Sequence, residues 1–194
     1  AADVVAFASQ LSECEQRAGR PVGSTGIMPL LETASGIYHA YDIATASSRV
    51  VGVMGGAPRG ADVNRAIGFR WTPGGDETLY IRSHIVLAGR AAGVRHIISF
   101  PCLDLDDTAL FERETVAARQ LGFTGRAVIH PSHIDAVNRE FSPTTEELDY
   151  YRGLLAVMDE ARAGGRAAAR YRGTMVDLAH VQFAEEFLAS AGAR

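Results

Sequence analysis

Between residues 25 and 131, short apolar runs alternate with stretches of helical spacing, and this alternation limits the fold more than any other feature. Thr25–Leu31 (TGIMPLL) has the continuous apolar character of a strand buried on both faces. Val50–Met54 (VVGVM), His96–Phe100 (HIISF) and Ala127–His130 read as three further strands. Helices are expected over Ala2–Ala18, Thr33–Ala46 and about Glu77–Ala92, then from Asp106 or Asp107, as cap, to Leu121, with a short one after Pro131. A Gly/Pro-rich loop, Gly55–Gly60, follows the second strand, and a long polar connection holds Trp71 and Pro73-Gly74-Gly75.

Repeated strand–helix–strand units build parallel sheets with right-handed crossovers. A (βα) barrel fits better than a dinucleotide-binding sheet, because no GxGxxG turn follows the first strand. Only four strands are visible, whereas a closed barrel needs eight. An open sheet of four would leave two unpaired edges. Beyond Phe141 the pattern changes. Ser142 or Thr144 caps a helix with Glu146 and Glu147 in its first turn, running to about Ala163 and stopping at Gly164-Gly165. The Ala/Arg-rich stretch Ala161–Arg172 reads as a mobile, solvated link, Arg170–Val176 as strand or loop, and Asp177 precedes a last helix through Leu188. Two parts are therefore expected, residues 1–141 and 142–194.

Composition narrows the chemistry. All 19 basic residues are arginine. A Schiff-base aldolase, a pyridoxal-phosphate enzyme and a Walker-type phosphate loop each need a lysine amine, so this chain alone carries none of them. A net charge of −4 argues against a nucleic-acid surface. No apolar run reaches the roughly 18 residues of a membrane span. Cys14 and Cys102 lack C-x-x-C spacing and read as reduced, structural thiols of a cytoplasmic protein. The start, Ala1-Ala2-Asp3-Val4, has no basic n-region and no methionine, which reads as a processed or internal start rather than a signal peptide.

Barrel sites collect at the C-terminal ends of strands. Glu32 ends the first strand and reads as a metal ligand or base, or as a helix-capping acid; at the mouth of a buried strand its charge needs compensation. Arg59, in the loop after the second strand, pairs with a carboxylate or phosphate or is simply solvated. His130, closing the fourth strand before Pro131, is either chemical or a satisfied structural residue. His84 and His133 fall on helices and read as surface or interface residues, while Asp104, Asp106 and Asp107 read as helix-capping rather than a metal cluster. Ser99 and Cys102 show no base partner, and Asp177 is an N-cap by default.

Several stretches together resemble one family. Pro29-Leu30-Leu31-Glu32-Thr33-Ala34-Ser35-Gly36 resembles P-L-I-E-T-A-x-G, and Arg82–Gly93 is similar to a helix R-S-x-x-V-x-A-A-R-A-A-G. Leu121–Pro131 resembles L-G-F-x-G-K-x-x-I-H-P, Phe141-Ser142-Pro143 matches the next signature, and Met175-Val176-Asp177 resembles a C-terminal M-[IV]-D. These motifs belong to the citrate lyase β-subunit-like proteins of the HpcH/HpaI aldolase superfamily. The resemblance implies an α/β fold of (βα)8 TIM-barrel type, here the C-terminal four βα units at 1–141, with a C-terminal helical arm at 142–194. It implies a trimer, or association with a missing barrel half. The implied reaction is Mg²⁺-assisted cleavage or formation of a C–C bond in a hydroxyacyl-CoA of the citryl-CoA or malyl-CoA type, with oxo-acid and acyl-CoA as partners. A metal-assisted retro-aldol step needs no imine, which agrees with the absent lysine.

Glu32 would be the metal ligand, Arg59 and His130 would contact substrate, and Asp177 would act as acid/base in a neighbouring subunit's site. Two departures stand out. Pro58 occupies the place of a second metal-binding aspartate in the family's G-x-x-D-L motif, and proline cannot ligate a metal. Asp62, four residues on, matches a second, non-ligand aspartate and would substitute only with the loop rearranged. The family's first four strands, with a substrate-binding arginine, have no counterpart here, so the chain also reads as a fragment. The alternative function is a catalytically degenerate member that binds a ligand or partner.

Overall fold

Ile27 and Val50 form an isolated parallel bridge at one end of a parallel ladder. The computed structural model describes residues 1–192; residues 193 and 194, the end of the expected arm, lie outside the described residues. The chain forms two compact units, one spanning Ala1–Phe141 and one beginning at Ser142.

In the first unit, β1 (Leu30–Leu31), β2 (Gly52–Gly55), β3 (His96–Ser99) and β4 (Gly125–Arg126) lie in the order β1-β2-β3-β4, with every neighbouring pair parallel. Leu31 stands opposite Gly55, Gly55 opposite Ser99, and Ser99 opposite Arg126. Strands that neighbour in chain order, without the reversal of a doubly wound sheet, trace an arc of a barrel wall. The fold is thus α/β, of the barrel type expected. β1 is shorter than the apolar run that encodes it. Pro29 accepts from Met54 N at 2.9 Å but has no N–H to return, so the ladder breaks between Ile27 and Leu30.

The fourth strand is displaced from the expected Ala127–His130 to Gly125–Arg126. Its last rung is Ala127 N to Ser99 O at 2.9 Å. Beyond Ser99 the partner strand reaches Pro101, which offers no donor, and Val128 and Ile129 therefore lie outside the ladder.

Helices cover the sheet. α1 (Ala2–Arg17) precedes it, and the expected Thr33–Ala46 helix forms as two short pieces, α2 (Ala34–Tyr38) and α3 (Ala40–Ala44), broken at His39 (φ −98°, ψ 27°). The polar connection after β2 contains a helix that its composition concealed, α4 (Asp62–Ile67). α5 (Leu79–Ala91) follows a 3-10 turn at Asp76–Thr78, and α6 (Thr108–Leu121) starts from Asp107, whose carboxylate accepts from Leu110 N at 2.8 Å. A 3-10 turn at Pro131–His133 leads to α7 (Ile134–Phe141). Leu31, Val53, Ile85, Ile97 and Phe100 are buried in the core between sheet and helices. Each such side chain contributes about 1.5–3 kcal/mol on burial.

Val4 packs α1 against the core, Val5 and Phe7 are exposed, and a buried ion pair fastens the helix's other end. Glu15 is buried and takes both ends of the Arg49 guanidinium, at 3.1 and 2.7 Å. Its carboxylate also accepts from Gly23 N at 2.7 Å and Thr25 N at 2.8 Å. One ion pair thus ties α1 to the segments entering β1 and β2.

In the second unit, α8 (Thr145–Ala163) begins with a capping box. Thr144 Oγ1 accepts from Glu147 N, and Glu147 reaches back to Thr144 N at 2.7 Å. The stretch expected as a mobile link is instead the end of α8 plus a hairpin. β5 (Ala169–Tyr171) pairs antiparallel with β6 (Thr174–Val176). Arg172 and Gly173 turn the chain with φ of 43° and 88°, the double positive φ of a tight hairpin. Ala161, within the supposed link, is fully buried. α9 (Leu178–Gly192) follows, and Leu154, Met158, Val176, Val181 and Ala184 form this unit's core.

Candidate active site

The carboxyl ends of the four parallel strands place three of the sequence-predicted residues on one edge of the sheet. Glu32 follows β1, Arg59 lies in the connection after β2, and His130 lies beyond β4. Asp177 belongs to the second unit, between β6 and α9.

Glu32 is exposed, not shielded as its strand suggested, because β1 is the edge of the sheet and no described strand covers its outer flank. The capping alternative for Glu32 is replaced by Thr33, whose Oγ1 accepts from Gly36 N at 2.9 Å and caps α2. The Glu32 carboxylate makes no hydrogen bond or ion pair with the described residues. Both its oxygens are therefore open to a cation or a substrate.

After β2, Gly56 and Ala57 are buried and Pro58 is half-buried. Arg59 is exposed, its guanidinium carbon 5.5 Å from the centre of the Trp71 ring. Asp62 is the sole acid between β2 and Asp76; it opens α4, exposed, 3.0 Å from Arg65. After β3, Cys102 is buried, which pushes its thiol pKa up and leaves it a poor nucleophile. Asp104 Oδ1 accepts from Asp106 N and Asp107 N at 3.2 Å each, so these acids build the turn that caps α6. Among the described residues no group of three or more His, Cys, Asp and Glu is placed to hold a metal.

His130 is exposed, and its Nδ1 lies 2.8 Å from Ser132 Oγ and accepts from Ser132 N at 3.3 Å, at the start of the 3-10 turn. His133, expected at a surface, is buried. Its ring stacks on Phe111 with 3.7 Å between centres and 9° between planes. Burial, with Arg126 nearby, pushes its pKa down and keeps it neutral. Arg126 covers Phe111 with its guanidinium carbon 4.9 Å from the ring centre, and pairs with Glu114.

Asp177 caps α9, accepting from Ala179 N at 3.1 Å, and stands 2.7 Å from His180 Nδ1. The His180 hydrogen bond holds the carboxyl below its ordinary range, against a smaller opposing effect of burial. Sequence reading missed His180, although a histidine three residues past an N-cap aspartate is a readable signal. It also missed a cavity of about 420 Å³ between α5 and α6, bordered by Arg82, Arg113 and Arg126.

Residues 1–131 match the family model for HpcH/HpaI aldolase/citrate lyase, and residues 79–193 match that for C-C bond lyases of the TIM-barrel fold. The citrate lyase subunit beta of Leuconostoc mesenteroides subsp. cremoris is 35% identical over 187 residues, 95% of this chain and 60% of that protein. An L-malyl-CoA/beta-methylmalyl-CoA lyase of Cereibacter sphaeroides is 30% identical, over 98% of this chain and 64% of its own length. The crystal structure of protein CitE from Mycobacterium tuberculosis, in complex with magnesium, acetoacetate and coenzyme A, matches with a TM-score of 0.69 and 31% identity, covering 95% of this chain and 65% of that one. A citrate lyase structure from Burkholderia xenovorans matches with a TM-score of 0.80 at 22% identity, covering 99% of this chain and 59% of its own, which speaks for the fold alone. The chain thus spans about three fifths of the length of the relatives it matches. The parallel sheet in chain order, the glutamate at the end of β1 and a family model running from residue 1 to 131 agree: the chain belongs to the HpcH/HpaI aldolase/citrate lyase family.

Proposed function

We propose that this chain carries the C-terminal four βα units, residues 1–141, and the helical arm, 142–194, of a carbon–carbon lyase acting on a hydroxyacyl-CoA of the citryl-CoA or malyl-CoA type. The observation that carries the reading is Glu32: an acid at the carboxyl end of β1 with both oxygens unengaged, in a chain 35% identical to a citrate lyase subunit beta. The oxo-acid and acyl-CoA partners, the trimeric assembly and the cytoplasmic location belong to the same proposal.

Mg²⁺ takes one or two carboxylates and completes its shell with water and substrate oxygens. Glu32 would supply one such carboxylate; Asp62, which opens α4 in an ion pair with Arg65, would add a second only with the loop rearranged. Bound there, the cation would polarise the oxo-acid carbonyl and offset the negative charge that develops on cleavage. The Asp177 carboxylate, held ionised by His180, suits the base of the step in a neighbouring subunit's site. It takes the proton of the substrate hydroxyl as the C–C bond breaks. The bonding pair passes to the carbon next to the thioester carbonyl, which then takes up a proton. Arg59 would hold a substrate carboxylate or phosphate, and His130 would donate or accept a hydrogen bond at the mouth of β4.

Pro58 favours a second reading, ligand binding without lyase chemistry. The two are separated by incubating the protein with citryl-CoA and L-malyl-CoA in Mg²⁺ and following release of the oxo-acid. The lyase reading expects cleavage of one of them, lost by a factor of about 100 or more in Glu32→Gln. Binding of both thioesters without cleavage would leave the second reading standing.

A further inference from the structure

Met175-Val176-Asp177 closes the last family-like motif, and His180 lies three residues beyond it, on the first turn of α9. Capping that helix requires one carboxylate oxygen, and Asp177 uses Oδ1 for it, accepting from Ala179 N at 3.1 Å. The His180 ring meets the same oxygen at 2.7 Å. Both contacts of the carboxylate therefore fall on Oδ1. Oδ2 has no partner among the described residues and is not buried.

The distances decide the tautomer of His180. An ionised carboxylate only accepts, so a ring nitrogen 2.7 Å from it must carry the proton. The Asp177 amide nitrogen lies farther from Nδ1, at 3.3 Å, and is the weaker claimant on it. Nδ1–H thus donates to Oδ1, and in the neutral ring Nε2 keeps its lone pair. His180 has no other hydrogen-bond or ion-pair partner among the described residues. From α8, the phenols of Tyr150 and Tyr151 border the same cavity of about 290 Å³. Glu147, one turn before them, is engaged with Thr144 N and Oγ1. β6 brings no titratable group.

We infer that His180 is a positioning residue for Asp177: its Nδ1–H pins Oδ1 to the start of α9, so that Oδ2 is the atom that takes the substrate hydroxyl proton. The inference rests on the reading of Asp177 as the base in a neighbouring subunit's site. A proton gained at Nε2 makes the donor a cation, and a carboxylate paired with a cation is a poorer base. Cleavage therefore follows the neutral form of His180. A helix cap alone makes neither demand, since it needs neither Oδ2 free nor the ring neutral.

The test is steady-state cleavage of citryl-CoA and L-malyl-CoA in Mg²⁺ by the parent, His180→Asn and His180→Leu, over about pH 5 to 9. His180→Asn keeps a donor near the place of Nδ1 and should hold kcat within about threefold of the parent. His180→Leu should lower kcat roughly tenfold or more with KM nearly unchanged, because substrate still binds while its base is loose. The parent's kcat should fall toward the acid end of the range, and His180→Asn, which has no imidazole, should lose that fall. His180 is half-exposed, so both variants should fold, as circular dichroism will show. Undiminished kcat in folded His180→Leu, or an unchanged acid limb in His180→Asn, overturns the positioning role and leaves the lyase reading standing. Cleavage of neither thioester by the parent ends the lyase reading, and this role with it.

Discussion

Glu15 and Arg49 lie 34 residues apart in sequence and share a buried ion pair, which no local spacing announces. Its consequence is a pH dependence. The Arg49 hydrogen bond, against the opposing effect of burial and helped by the Gly23 and Thr25 donors, holds the Glu15 carboxyl well below its ordinary 4.5. A carboxyl depressed on folding stabilises fully above that ordinary value, and the contribution drains away as the pH falls below it. Thermal unfolding should therefore lose ground steeply as the pH drops through and below 4.5, and Arg49→Met should flatten that slope while lowering the melting temperature at pH 7. Parallel melting curves for the two proteins across this range would refute it. Other residues were readable or not for similar reasons. Thr144, Asp107 and Asp177 act on backbone a few positions ahead, so their roles show in sequence. His133 was misplaced because its burial depends on Phe111, a residue of a different helix.

Helices and strands separate in the same way. The starts of α6 and α8 and the places of β2 and β3 in the chain follow from caps and apolar runs. The capping box makes Thr144→Ala cost about 1 kcal/mol, with Thr144→Ser close to the parent, as measured by the denaturant midpoint at constant slope. Where an element ends depends on its neighbour, and that information is absent from its own residues. β4 stops because β3 runs into Pro101. The β5–β6 hairpin reads in sequence only as strand or loop over Arg170–Val176, because the Ala and Arg before Tyr171 carry little strand signal. Helix–sheet packing is tighter than any pattern discloses. A side chain at position 89 of α5 would sit 2.9 Å from the Ile97 side chain. Gly89→Ala should cost about 1–3 kcal/mol by overpacking, despite the better helix propensity of alanine. A variant as stable as the parent in a denaturant melt would contradict this packing.

At the scale of the molecule, a parallel sheet in chain order with β1 and β4 at its edges is the arrangement that motif order and strand count foretold. The site is less legible. Glu32 was found by its place at a strand end, but its exposure depends on what lies beyond β1. The cavity between α5 and α6 shows no motif in sequence, since residues of several elements line it. The account depends most on Glu32 as the anchor of a cation shared with an oxo-acid. That claim is tested by titrating Mg²⁺ into the protein by calorimetry, with and without oxaloacetate, for the parent and Glu32→Gln. Binding that strengthens with oxaloacetate and falls by roughly tenfold or more in Glu32→Gln is the predicted result. No Mg²⁺ binding in the parent with oxaloacetate present, or the same affinity in the variant, would contradict it.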